Sequence, residues 1–403
     1  MNLLAALALM FVVSAPCRVP AKIRISLFSL FRPELVEVRA ASMEGATLTI
    51  SGVSSSRSLS RNESIRIGRS GSRLEVFLTG LSSSAGQSIS TSEVRIAPSG
   101  SGTLELSLPH RISRIVRGEV AIDAGVGGRG PLRILLKTDR EAAVASVVEA
   151  ETSDHHPEAL KALAIVVRTF MLSHSGRHSN DGFDFCDTTH CQFYNGERVA
   201  PDRLASNVVT NAVAQTRGQF LAFNGQLVEG YYTASCGGIS ATPSMVWGGE
   251  TRYPYKPVAC QWCRGSRFYK WERAATAEKI LDALSVFTKA KLSSATELIT
   301  VNDPSSGLAR AVAVRDRGRK ISLTADEFRR AIGLKLGWNT VLSPTFTIER
   351  RGSRFIFRGR GFGSQIGLCE AGAIAQAAAG RGYREILSFY FPGTEISSHF
   401  ADE

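Results

Sequence analysis

The pattern of apolar and polar residues is most distinctive between residues 148 and 196. Pro157 suits the first turn of a helix, because the amide it lacks would have no partner there. Apolar residues then recur at helical spacing and also fill much of the opposite side: Ala159, Leu160, Leu163, Ala164, Ile165, Val166, Val167, Phe170 and Met171. A helix that is apolar nearly all round is typical of a domain centre. Acids and two histidines precede it, and two cysteines and three histidines follow, so we predict polar clusters at both ends of a buried helix.

Period-two alternation predicts strands in much of the remaining chain. Residues 23–40 alternate like a strand pair with a turn near Arg32-Pro33, and short alternating runs continue through a serine-rich stretch to residue 102. A second β stretch, 112–137, leads into a short helix at 139–150. Further predicted elements are a helix at 201–215, a hairpin turning at Asn224-Gly225, a helix at 276–287, a meander at 298–323, a helix capped by Thr324 and Glu327, and an alanine-rich helix closed by Gly380.

These elements predict an α+β fold, with a β-rich N-terminal module followed by a mixed domain of antiparallel strands around the buried helix. We expect the module at 20–110, the mixed domain at 112–403, and an inserted αβ subdomain around 272–342. Residues 1–15 are apolar and end in small residues, which predicts a signal peptide and export to the periplasm or cell envelope, with or without anchoring by an uncleaved signal. No later segment is long and apolar enough to span a bilayer.

The net charge of +12 and the pI near 9.6 favour a polyanionic neighbourhood. Nucleic acid, an anionic lipid surface and an anionic cell-wall polymer all qualify. The basic residues are scattered and do not form one run, which argues against a nucleic-acid partner. The glycine-rich segment 359–367 lacks the βαβ context and the following acid of a dinucleotide-binding fingerprint, so we do not predict a nucleotide site.

Six of the seven cysteines lie in motif-like surroundings: Cys186, Cys191, Cys236, Cys260, Cys263 and Cys369. Cys186 and Cys191 bracket His190, and His178 lies eight residues before Cys186, a ligand set that suits tetrahedral zinc. Cys260 and Cys263 also have metal-like spacing, and Cys236 could join either group. In an exported protein the same cysteines could form disulfides or serve redox chemistry, so both alternatives stay open.

Several blocks of the sequence resemble, in order, those of the stage II sporulation protein D (SpoIID/LytB) family. They are HPEALKALAIVVRTFML, FDFCDTTHCQFYNG, AVAQTRGQFLAFNGQLVEGYYTASCGG, VWGG and GRGFGSQIGLCEAGAIAQAAAGRGYREILSFYFPGTEI, and they extend from about Ile112 to Ile396. Members of this family act on peptidoglycan as lytic transglycosylases, which cut between N-acetylmuramic acid and N-acetylglucosamine. Other members enhance a wall amidase.

The resemblance implies a catalytic glutamate just before the EALKA block, where Glu149 and Glu151 stand. Glu151 aligns better, although the family usually has one residue more before Glu158. One carboxyl can suffice: it protonates the glycosidic oxygen, and its carboxylate then takes a proton from the sugar's C6 hydroxyl. Such an acid requires an apolar, partly desolvated setting to stay protonated near neutral pH. Arg168 could bind a substrate carboxylate, orient the acid, or form a salt bridge at the helix end.

The resemblance also implies a zinc ion, because some members bind zinc with one histidine and two cysteines in the second block. These correspond to His178, Cys186 and Cys191, with His190 as a further ligand. Implied substrate-binding residues are Thr169, Tyr232, Ser235, Gly363, Ser364 and Gln365.

The final block departs from the family pattern. Ser364, Gln365, Glu370 and Ala371 replace a usual histidine, glycine, glutamine and tryptophan-containing end, and such losses would weaken sugar contacts. We therefore expect either a transglycosylase acting on peptidoglycan glycan strands, or a non-catalytic wall-binding protein or amidase enhancer with a wall amidase as partner.

Overall fold

The computed structural model describes residues 21–53, 56–61, 63–79, 88–128, 130–152, 154–197 and 203–398. The signal peptide expected at 1–15 lies outside these residues. The described residues combine α-helices with strands that form several separate sheets, which confirms the predicted α+β fold. No helix in the described ranges is both long and apolar enough to cross a membrane.

The helices of the described residues are α1 (Arg140–Glu151), α2 (Pro157–Ser173), α3 (Arg203–Gln215), α4 (Pro243–Val246), α5 (Ala277–Thr288), α6 (Ala325–Leu336), α7 (Glu370–Ala378) and α8 (Tyr383–Tyr390). The strands are β1 (Lys22–Ser26), β2 (Leu35–Ala40), β3 (Ala46–Ile50), β4 (Arg57–Leu59), β5 (Ser64–Ser70), β6 (Arg73–Thr79), β7 (Ser88–Thr91), β8 (Glu93–Pro98), β9 (Leu104–Leu108), β10 (Ile112–Val116), β11 (Glu119–Asp123), β12 (Arg133–Asp139), β13 (Phe185–Cys186), β14 (Phe220–Phe223), β15 (Gln226–Leu227), β16 (Tyr232–Thr233), β17 (Trp271–Thr276), β18 (Glu297–Asn302), β19 (Ala309–Asp316), β20 (Arg319–Thr324), β21 (Thr345–Arg351), β22 (Arg354–Arg360), β23 (Leu368–Cys369) and β24 (Glu395–Ser397).

The N-terminal strands form two sheets, with orders β13-β1-β12-β11-β8-β3-β4 and β10-β9-β2-β5-β6-β7. The pairings are antiparallel except for β1 with β13. The strand pair expected over residues 23–40 is not formed, because β1 pairs with β12 whereas β2 pairs with β5 and β9. Alternation identifies the buried face of a strand and leaves its neighbour undetermined.

The first of these sheets crosses the expected division between residues 110 and 112. β8 pairs with β11, and β1 pairs with β12, so strands from both sides of that division share one sheet. Their buried residues also belong to one core, which continues into α1, α2 and α7. The division expected between residues 110 and 112 therefore corresponds to no gap in packing, and the domain boundaries drawn from the sequence stay predictions.

The central helix α2 has the burial that its sequence predicts. Side chains on all its faces are buried, including Leu160, Ile165 and Val167, and Pro157 occupies its first position. It packs against α1, α3, α7 and α8. Because α2 is packed against other elements along its length, the polar loops that join its two ends begin at well-fixed positions.

A second core lies between Trp271 and Phe357. It is built from α5, α6 and the sheets β17-β22-β21 and β18-β19-β20. Thr324 and Glu327 form the predicted capping box of α6, and Asn224 and Gly225 adopt the positive φ angles (50° and 72°) of the predicted hairpin turn. The second core begins just after the loop that carries Cys260 and Cys263, and the chain returns from it into the glycine-rich segment 361–367.

Candidate active site

Glu151 is the last residue of α1 and its carboxyl group is held by two donors. The Tyr232 hydroxyl donates to Glu151 Oε1 over 3.1 Å, and the Phe193 amide donates to the same oxygen over 3.4 Å. Burial raises the pKa of Glu151, and the hydrogen bonds from Tyr232 and Phe193 offset part of that rise. Burial, reinforced by the nearby Glu151, also raises the pKa of Tyr232, so this hydroxyl remains a donor. The arrangement suits an acid that stays protonated at higher pH than an ordinary glutamate.

A second buried carboxyl, that of Glu370, lies close enough to interact electrostatically with Glu151. Glu370 begins α7, directly after β23, which pairs in parallel with β16 so that Tyr232 lies opposite Leu368. Burial and then repulsion by Glu151 raise the pKa of Glu370 well above its usual value. Its buried surroundings therefore favour the neutral form of Glu370. Its departure from the family pattern was visible in the sequence, but its position beside Glu151 depends on a strand pairing between distant segments.

Glu149 occupies a different environment from Glu151. Its side chain is buried and lines a cavity of about 440 Å³ between α1 and α3, together with Ser146, Glu141 and Arg217. Glu151 does not line this cavity. The structure thus brings Glu151 to Tyr232 and Glu370, and it directs Glu149 elsewhere.

Arg168 and Thr169 are fully buried within the helical layer. The Arg168 guanidinium forms a two-point ion pair with Glu141 at 2.7 and 2.6 Å and donates to the Gln219 carbonyl at 2.9 Å. The Thr169 hydroxyl donates to the Ile165 carbonyl and accepts from the Leu221 amide at 2.9 Å. These contacts correspond to the salt-bridge alternative for Arg168. Neither side chain has exposed surface in this structure, and the substrate contacts expected of both residues stay predictions.

Some of the residues expected to bind substrate in and around the glycine-rich loop are buried, and others are partly exposed. Gln365 is buried at a positive φ of 65°, and its amide group donates to the Cys236 and Arg360 carbonyls and accepts from Thr345. Ser235 is also buried and holds the loop through backbone hydrogen bonds with Phe362, so the ligand contacts expected of Ser235 and Gln365 stay predictions. Gly363 and Ser364 remain partly exposed. A side chain at Gly363 would collide with the Thr233 hydroxyl, so the loop can only approach β16 this closely with glycine there.

The expected zinc ligands converge beyond the C-terminal end of α2. One ligand atom from each of His178, Cys186, His190 and Cys191 lies within 4.8 Å of the others. His178 Nε2 is 3.3 Å from Cys191 Sγ, and His190 Nδ1 is 3.7 and 3.6 Å from the sulfurs of Cys186 and Cys191. A hydrogen bond with the Cys191 thiol lowers the pKa of Cys186 to about 4. Two thiolates and two imidazoles are a donor set that suits tetrahedral zinc.

Two aspartates that the sequence analysis did not select support this cluster. Asp181 Oδ2 lies 3.4 Å from His178 Nδ1, the ring nitrogen remote from Cys191, which is the position of a carboxylate that orients a ligating histidine. Asp187 is buried, forms an ion pair with Arg114, and accepts from the Phe28 amide at 2.6 Å and the Ser29 amide at 3.2 Å. It therefore fixes the cysteine-bearing loop to the chain after β1.

Comparison with known proteins yields a model of the stage II sporulation protein (SpoIID) that matches residues 130–223, and a model of a domain of unknown function (DUF8618) that matches residues 262–367. The chain is 31% identical over 269 residues to the stage II sporulation protein D of Bacillus subtilis, which covers 64% of this chain and 74% of that protein. The chain belongs to the stage II sporulation protein D family.

Two further relatives have different names. An uncharacterized protein of Brachyspira hyodysenteriae is 30% identical over 261 residues, and this chain spans just under two thirds of its length, 66%. The amidase enhancer of Bacillus subtilis is 27% identical over 287 residues, and this chain spans 38% of its length. The SpoIID match contains Glu149, Glu151 and the group His178, Cys186, His190 and Cys191, which we call the His178 cluster. Tyr232 and Glu370 lie outside both matched ranges.

Proposed function

We propose that this protein cleaves peptidoglycan glycan strands by lytic transglycosylation, with Glu151 as its single acid and base. The observation that carries the proposal is the largely buried Glu151 carboxyl, whose pKa is raised by burial and which accepts hydrogen bonds from Tyr232 and Phe193. Membership of the stage II sporulation protein D family supports a substrate in the bacterial cell wall.

In this reaction Glu151 gives up one proton and later takes up another. Protonated Glu151 donates its proton to the glycosidic oxygen between N-acetylmuramic acid and N-acetylglucosamine as the bond from that oxygen to C1 breaks. The C6 hydroxyl of the same muramic acid then attacks C1, and the Glu151 carboxylate takes the hydroxyl proton. The products are a new N-acetylglucosamine hydroxyl end and a 1,6-anhydro end, and no water is consumed.

The two oxygens of Glu151 have different roles in this scheme. Oε1 accepts from both the Tyr232 hydroxyl and the Phe193 amide, so Oε2 is the oxygen that would carry the transferable proton. Neutral Glu370 keeps a second negative charge away from Glu151 when Glu151 ionises. The accessible Gly363 and Ser364 of the adjacent loop are candidates for contact with the sugar.

Zinc held by His178, Cys186, Cys191 and His190 would act in folding and not in the reaction. This donor set is complete without a substrate or water position, which is typical of a structural site. The ion would join the turn after α2 to the strand β13 and thereby fix the loop that ends in the Phe193 amide.

A second candidate function is favoured by the amidase enhancer among the relatives and by the altered glycine-rich loop. In that case the protein would bind wall glycan in the envelope and assist a wall amidase without cutting the glycan. Both functions require an extracytoplasmic location, which the expected signal peptide would provide.

Peptide-free glycan strands incubated with the purified protein in ¹⁸O-labelled water would distinguish these functions. Transglycosylation produces 1,6-anhydromuramic ends that lack the label, because no water enters the product. An increase in the number of labelled reducing ends, without anhydro ends, would indicate hydrolysis and contradict the proposed mechanism. Intact strands that sediment with the protein, together with stimulation of an added wall amidase, would favour the second function.

A further inference from the structure

Four cysteines that are distant in the sequence meet at one buried point beside the candidate active site. Cys236 follows β16, Cys260 precedes the 3-10 turn at Gln261–Gly265, Cys263 lies within that turn, and Cys369 ends β23. Each is at most 1% exposed, and their four sulfurs all lie within 4.8 Å of one another. We call this group the four-cysteine cluster. We propose that it is a second metal site, which binds one structural zinc ion through four thiolates.

The distances fit a tetrahedral thiolate site. Zinc–sulfur bonds of about 2.3 Å in a tetrahedron place the sulfurs about 3.8 Å apart. Cys236 Sγ is 3.6 Å from Cys263 Sγ, and no pair among the four sulfurs is separated by more than 4.8 Å. Cys260 and Cys263 have the two-residue spacing of many zinc sites. Two disulfides would instead draw the sulfurs together in pairs at about 2.05 Å.

The groups around the cluster are those that stabilise metal-bound thiolates. The Cys236 amide donates to Cys369 Sγ over 3.3 Å, and the Tyr390 hydroxyl lies 3.2 Å from Cys260 Sγ. Cys369 is also the N-cap of α7, where the helix dipole favours negative charge. A side chain at Gly372 would lie 2.8 Å from Cys260 Sγ, so α7 can pack this closely on the cluster only with glycine there.

The four-cysteine cluster is fully buried and offers only soft sulfur ligands, and these two properties determine which metal ion it can bind and what the ion does. Four sulfurs exclude calcium and magnesium, which take oxygen ligands, and complete burial leaves no position for a substrate. The ion would release the thiol protons on binding and join three chain segments. Two of them contain β16 and β23, which pair so that Thr233 lies opposite Cys369, and the cluster would therefore hold Tyr232 and Glu370 at fixed positions around Glu151.

The test is metal content in the full chain, with the His178 cluster as the matched control. Protein produced with zinc should contain two equivalents, and Cys263→Ser and Cys186→Ser should each remove one of them. X-ray absorption at the zinc edge of the Cys186→Ser protein, which keeps only the four-cysteine cluster intact, should show four sulfur ligands at about 2.3 Å and no nitrogen. This spectrum does not require the Cys263→Ser variant to fold.

Four results would overturn the proposal. One is a single zinc equivalent that Cys186→Ser abolishes. Another is a mass of the metal-free, unreduced protein that lies four hydrogens below that of the fully reduced protein. If the same difference of four hydrogens is found in Cys186→Ser, it would identify two disulfides in the four-cysteine cluster. The third is iron in place of zinc after production with both metals. Retention of both zinc ions in Cys263→Ser would equally contradict the assigned ligand set.

Discussion

Replacing Glu151 by glutamine should abolish most of the proposed activity while leaving the fold intact. Glutamine keeps the size of the side chain, and its carbonyl oxygen can still accept from Tyr232 and Phe193, but it cannot transfer a proton. Loss of general acid–base work typically lowers the rate about 10²–10⁴-fold. At about 1.36 kcal/mol per factor of ten, this range corresponds to about 2.7–5.4 kcal/mol of lost transition-state stabilisation. The assay is the initial rate of anhydro-end formation on peptide-free glycan.

Glu149→Gln is the matched control, because Glu149 is two residues away on the same helix but lines the cavity on the α3 side. Its rate should stay close to that of the unmodified protein. Both variants should bind glycan with unchanged affinity, since the carboxyl acts mainly on the transition state. Thermal unfolding would verify that each is folded. An active Glu151→Gln protein beside a folded, inactive Glu149→Gln protein would reverse the assignment, and two fully active variants would refute the single-carboxyl mechanism.

Three further predictions follow from neighbouring groups. Tyr232→Phe removes a hydrogen bond that lowers the pKa of Glu151, so the loss of activity at high pH, as the acid deprotonates, should move to higher pH in a pH–rate profile. Because the pKa of Glu370 is raised on folding, the folded state loses stability as pH rises above the ordinary glutamate pKa. Glu370→Gln should therefore raise the melting temperature by a margin that grows as the pH rises above about 4, and a pH-independent margin would contradict this. Cys186→Ser should lower the melting temperature through loss of bound zinc, and chelation should destabilise the unmodified protein but destabilise this variant less.

Local features of the fold were predictable because their causes are local. The all-round apolar pattern predicted the burial of α2, and the residues Thr324 and Glu327 predicted the start of α6. Asn224-Gly225 predicted a hairpin for the same reason, since few other residues tolerate two successive positive φ angles. The His178 cluster could also be predicted from the sequence, because its members lie within fourteen residues of one another.

Contacts between distant segments could not be predicted from patterning. Alternation located β1 and β2 but suggested the wrong partner for each, because the pattern of a strand is compatible with any neighbour that covers its apolar face. The pairing of β16 with β23 brings Tyr232 close to Glu370 and Cys236 close to Cys369, across more than a hundred residues. A propensity for helix or strand contains no information about such pairings, so the second carboxyl and the complete four-cysteine cluster emerged only from the structure.

The surroundings of Glu151 have opposing effects that match the two states the proposed reaction requires. Burial favours the protonated form, and so does the position of Glu151 at the C-terminal end of α1, where the helix dipole is negative. The Tyr232 hydroxyl and the Phe193 amide favour the carboxylate, because both donate to Oε1. A carboxyl with burial alone would retain its proton too strongly to donate it, and one with donors alone would be ionised before the substrate arrived. An acid that must first release a proton to the glycosidic oxygen and then recover one from the C6 hydroxyl needs both influences at once, and Glu151 has both.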